Sequence, residues 1–105
     1  MVTMNEELNA ELVAAVRCWC GWGTSAMPHR DDSRLIERFG RQRGAELLRE
    51  IVALEDDFYI SDARLVAANV PDMARRCADD FKRKRPGVAG DIVDAFVWCY
   101  TFDYK

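Results

Sequence analysis

This 105-residue chain lacks most of the features that mark an enzyme or a membrane protein. No apolar run approaches the ~20 residues needed to span a bilayer. It has one histidine, His29, and no serine or cysteine in a nucleophile signature to work with it. No Gly-Lys-Ser/Thr phosphate loop occurs. Gly21-Trp22-Gly23 imitates the start of a dinucleotide fingerprint, but no strand precedes it and no helix follows within reach. Internal repeats, low-complexity stretches and linkers are also missing. The first residues lack the basic start and apolar core of a signal peptide, so a cytoplasmic protein is expected. The net charge of −3 shows none of the basic excess usual in nucleic-acid-binding domains.

What is there describes one globular domain. Half the residues are apolar and 31% are charged, a balance that buries a core instead of remaining disordered. The charge is uneven: residues 1–70 carry 12 acids against 8 bases, and residues 71–105 carry 6 against 7. Four cysteines raise the question of a metal or a disulfide. Cys18 and Cys20 stand two apart, not at zinc-knuckle spacing, and on a helix their thiols point about 200° apart. Reduced, buried thiols are the expectation, with no metal and no cofactor.

Helical periodicity dominates. Thr3-Met4-Asn5-Glu6 fits a capping box, and Leu8, Leu12, Val16 and Trp19 form one stripe, ended by Gly21 and Gly23. Residues 21–31 form the longest loop. Asp32 or Ser33 caps a short second helix with Leu35, Ile36 and Phe39, stopped by Gly40. A third helix, about Arg43 to Asp57, carries Leu47, Ile51, Leu54 and Phe58, flanked by Leu48 and Val52. Ser61 or Asp62 starts a short piece through Asn69. Pro71 suits the first turn of a fifth helix, with Met73, Cys77 and Phe81 inward. Lys82-Arg83-Lys84-Arg85 closes that helix at its cation-favouring end. After Pro86-Gly87 a last helix, Val88 to Thr101, buries Ile92, Phe96 and Cys99 beside Val93, Val97 and Tyr100. The expected fold is all-α, a compact bundle of five to six mostly antiparallel helices spanning residues 1–105.

No constellation reads as catalytic. Glu55-Asp56-Asp57 fans around a helix by about 100° per residue, so the three carboxylates cannot converge on one ion. Asp79-Asp80 and the pair Asp91 and Asp94 read as surface charge or as an acidic face for a basic protein. Trp22, in the loop, is either core or an interface anchor. The basic run at 82–85, with Arg75 and Arg76, is the best nucleic-acid signal. Residues 62–84 imitate a helix-turn-helix, with Asn69 in the turn and Val70 at its buried apolar position. That register needs an apolar residue near Arg75, and Asp79 and Asp80 would repel phosphates.

The segment Ala95-Phe96-Val97-Trp98-Cys99-Tyr100-Thr101-Phe102-Asp103, with the acidic pairs and an excess of arginine over lysine, resembles helical immunity proteins of bacterial contact-dependent growth inhibition and related polymorphic toxin systems. The resemblance implies a non-enzymatic antidote that covers the active site of a basic toxin domain, often a nuclease. Its partner-binding candidates are Asp56, Asp57, Tyr59, Asp79 and Asp80. It implies no catalytic residue, no metal, no small-molecule substrate and no membrane. The alternative is a small helix-turn-helix-like regulator that binds nucleic acid.

Overall fold

A computed structural model describes residues 6–105. Among them every regular element is a helix, in the order α1 (Glu6–Cys20), α2 (Asp32–Phe39), α3 (Arg41–Tyr59), α4 (Ala63–Val66), α5 (Val70–Lys84) and α6 (Gly90–Tyr104). The all-α bundle expected from periodicity is the fold. The capping box that begins at Thr3 lies outside the described residues.

The helix ends show how short polar residues and glycine divide the chain. Gly21 takes a positive φ of 84°, which L side chains rarely adopt, so α1 stops there. The α2 cap is Asp31, one residue ahead of the expected Asp32 or Ser33. Its carboxylate accepts from the Ser33 amide at 3.0 Å and the Ser33 hydroxyl at 2.6 Å. Gly40, at φ 87°, both ends α2 and starts α3. Asn69 caps α5 by accepting from the Asp72 amide, with Pro71 in the first turn. Helices α3 and α6 run longer than the periodicity predicts: the half-buried Tyr59 extends α3, and the exposed Tyr104 stacks on Tyr59 and Tyr100 at the end of α6.

Packing is most extensive between α2 and α3 and between α5 and α6, with α1 laid against α6 and α2. Leu12, Val16, Trp19, Leu35, Leu47, Ile51, Leu54, Met73, Cys77, Ile92 and Cys99 are buried together in one core. Phe58 lies at its aromatic centre, with ring centroids 5.0 Å from Phe81, 5.6 Å from Phe96 and 5.8 Å from Tyr100. Tilted aromatic contacts of this kind contribute about 0.5–1.5 kcal/mol each beyond their buried area. Two expected flanking residues differ: Ile36 and Val52 are exposed, since each sits on a helix edge that no neighbour covers.

The 21–31 loop is tied down along its return. The His29 amide donates to the Cys20 carbonyl and the Asp31 amide to the Trp19 carbonyl, both at 2.9 Å. Trp19 Nε1 donates to Asp32 at 2.8 Å, joining α1 to α2. An Arg43–Glu11 ion pair joins α3 to α1. No described helix is long and apolar enough to cross a membrane.

Candidate functional site

The bundle end where α3, α4 and the C-terminal turn of α6 meet is organised around one buried polar residue, Ser61. Burial obliges a polar group to find partners, and Ser61 has four. Its hydroxyl donates to Asp80 Oδ2 at 2.6 Å and accepts from the Ala63 amide at 3.2 Å. Its carbonyl accepts from the buried Tyr100 hydroxyl at 2.9 Å and from Arg64 Nη1 at 3.0 Å. Tyr100 in turn accepts from the Arg64 amide at 3.0 Å. These bonds fix α4 against α3, α5 and α6, although the helix is only four residues long.

That fixed corner holds out an apolar surface. Ile60, Leu65, Val66 and Val70 are 66%, 73%, 54% and 43% exposed. Two adjoining concavities flank them. One is lined by Ile60, Asp62, Asp80 and Lys84; the other by Asp62, Val66, Arg75, Asp79 and Arg83. Exposed apolar side chains beside charged ones are common in protein-binding surfaces.

The five carboxylate and tyrosine candidates reach this end of the molecule in different states. Asp79 and Asp80 line the concavities, where Asp79 lies 3.8 Å from Arg75 and Asp80 is paired with Arg83. Asp57 sits behind them, 2.7 Å from Arg85 Nε, while Lys84 Nζ donates to its carbonyl. Asp56 is exposed and forms no ion pair among the described residues. Tyr59 belongs to a separate cluster on the adjoining side. It donates to Asp103 at 2.7 Å and accepts from Arg30 at 2.8 Å, and Arg30 also donates to Glu55 at 2.7 Å. The acids are therefore interleaved with arginines and do not form a continuous negative field.

Two titrations reflect the Tyr59 cluster. Burial and the hydrogen bond to Asp103 raise the Tyr59 phenol, which stays protonated. Burial works against the Arg30 charge, but the Glu55 ion pair outweighs it and holds the guanidinium charged. Beneath this cluster, the adjoining Cys20 thiol and burial push the Cys99 thiol well above its ordinary range. Cys18 points elsewhere, donating to the Arg34 carbonyl at 3.5 Å, so Cys18 and Cys20 face different helices as their spacing requires. No three His, Cys, Asp or Glu side chains gather around a common point among the described residues. The exposed His29 forms its one side-chain hydrogen bond among the described residues with Arg34.

The basic run is engaged with acids of its own chain. Arg75 and Arg76 both pair with Asp72, Arg83 with Asp80 and Arg85 with Asp57. Val70, which a helix-turn-helix register would bury, is exposed, and the helix before the turn is a single turn long. Comparison of the chain with family models, curated proteins and solved structures gives no match.

Sequence reasoning named the acids of this corner and missed its apolar centre. The signal was present. Leu65 and Val66 sit side by side, and three or four positions on the only apolar residues are Ala68 and Val70, so they continue no stripe of large inward residues.

Proposed function

We propose that the protein acts by binding another protein through the α4 corner, as a stoichiometric inhibitor of the immunity type. The observation that carries this reading is the concentration of exposed Ile60, Leu65, Val66 and Val70 within eleven residues, on a corner pinned by Ser61 and Tyr100. Fixed apolar side chains bind without a large ordering cost. Asp79, Asp80 and Asp62 around them would set register against a basic partner, with Asp56 and Asp57 at the margin. Tyr59 would contribute from the adjoining face. That the partner is a toxin domain, and a nuclease, rests on the resemblance of the Ala95–Asp103 segment and the acidic pairs.

The test is co-expression with a toxin domain encoded by a neighbouring gene, reading cell survival and isolating the complex. Survival is expected with the wild-type chain. Loss of survival is expected with Leu65→Asp, at an exposed position, and with Asp79→Lys, at a half-exposed one, and both variants should keep the wild-type circular dichroism. Absence of protection by the wild type overturns the antidote reading. Full protection by both variants overturns the assignment of this corner.

A further inference from the structure

Another concavity lies away from the α4 corner, where the outer face of α1, the turn after it, α2 and the first turn of α6 come together. It encloses about 790 Å³, within the size range of sites for small organic ligands. Since α6 extends about 20 Å from Asp91 in this groove to Tyr104 at the other end, the two surfaces are separate.

Three guanidiniums line the groove, from Arg17, Arg34 and Arg38, against one described acid, Asp91. Arg34 is held in place by all three of its nitrogens: Nη1 donates to the Cys18 carbonyl at 3.2 Å, Nη2 contacts His29 Nδ1, and Nε lies 3.6 Å from Asp31. Arg17 and Arg38 are held differently. Arg17 lies over the Trp22 ring, 4.9 Å from its centroid, and Arg38 over Phe39 at 5.4 Å. Stacking occupies the flat face of a guanidinium and leaves its N–H edge free. Neither arginine makes an ion pair or a side-chain hydrogen bond among the described residues, so both edges remain available. The half-buried Trp22 and Val13 supply an apolar wall between the charges.

Guanidinium edges match the paired oxygens of phosphate, and an apolar wall beside them accommodates a flat ring. From this geometry we infer that the groove is a binding site for a small phosphorylated ligand with a planar ring, of which a nucleoside monophosphate is the simplest form. The phosphate meets the open edges of Arg17 and Arg38, with the tethered Arg34 adding its charge beside them, the ring lies against Trp22 and Val13, and Asp91 offers an acceptor at the rim for a hydroxyl or amine.

Adenosine 5′-monophosphate, adenosine and inorganic phosphate are the probes, titrated by calorimetry with the Trp22 indole resonance followed by NMR. The nucleotide is expected to bind with a Kd of about 0.1 mM, shifting the Trp22 signal. Adenosine and inorganic phosphate should each bind at least about tenfold more weakly, since each lacks one half of the recognition. Arg17→Ala and Arg38→Ala, both at exposed positions, should each weaken nucleotide binding about tenfold with unchanged circular dichroism. The proposal is overturned if the nucleotide leaves Trp22 unmoved at about 5 mM. It is equally overturned if inorganic phosphate binds as tightly as the nucleotide, or if a chain carrying both Arg17→Ala and Arg38→Ala binds like the wild type. None of these outcomes bears on protection through the α4 corner.

Discussion

Replacing Gly44 with alanine ought to stabilise a helix, and here it should do the opposite. Gly44 is buried in α3, and alanine in a helix is ordinarily better than glycine by about 0.5–1 kcal/mol. A Cβ at this position would stand 2.9 Å from the Leu35 carbonyl oxygen, 3.0 Å from its carbon and 3.1 Å from Ile36 Cα. All three are backbone atoms of α2, so no side-chain rotation can relieve the contact and the two helices must part. Overpacking of this kind costs about 1–3 kcal/mol. The net expectation is a loss of about 1–2 kcal/mol, or roughly 5–10 °C in Tm. The control is Gly90→Ala in the first turn of α6, where an added Cβ meets nothing within 4 Å. It should be neutral or stabilising by up to about 1 kcal/mol. Urea denaturation followed by far-ultraviolet circular dichroism reads both. A Gly44→Ala protein as stable as the wild type would refute the close α2–α3 approach.

Three further expectations concern the corner, the acids and the thiols. Tyr100→Phe keeps the buried ring but strips the Arg64 amide of its acceptor, while the Ser61 carbonyl keeps Arg64 Nη1. A loss of about 1–3 kcal/mol is expected by denaturation, and a change under about 0.5 kcal/mol would show that α4 is not pinned this way. The Ala68 amide, then Arg76 and Arg75, hold the Asp72 carboxyl down at about 2. Its stabilising effect is therefore complete above the unfolded carboxyl value of about 3.9 and is lost as pH falls through about 2. Asp72→Asn should flatten the stability–pH curve in that window, and an unchanged slope would contradict the pairing. Of the four free thiols, Cys20, Cys77 and Cys99 are buried and Cys18 is partly open. Burial also pushes Cys77 up to about 12, which makes it a poor thiolate source. A chromogenic thiol reagent should find at most one fast thiol in the native protein and all four in denaturant. Two or more fast native thiols would mean that the core is open.

The helices and their inward faces were legible along the chain because both depend on neighbours three and four positions away. Met73, Cys77 and Phe81 must share a face wherever α5 docks, and Pro71 suits the first turn of that helix whatever packs against it. The separation of Cys18 from Cys20 follows from helical geometry in the same way. Only tertiary structure decided which charges are free, since an acid's partner can come from any helix that packs beside it. Asp57 found Arg85 and Asp80 found Ser61, while Asp56 found no ion pair among the described residues. It also decided that Leu65 and Val66 stay in water, that Gly44 lets α2 approach, and that three arginines from two helices line one groove. Each of these depends on where distant segments stop against one another, and that is set by the shape of the filled core, not by local spacing.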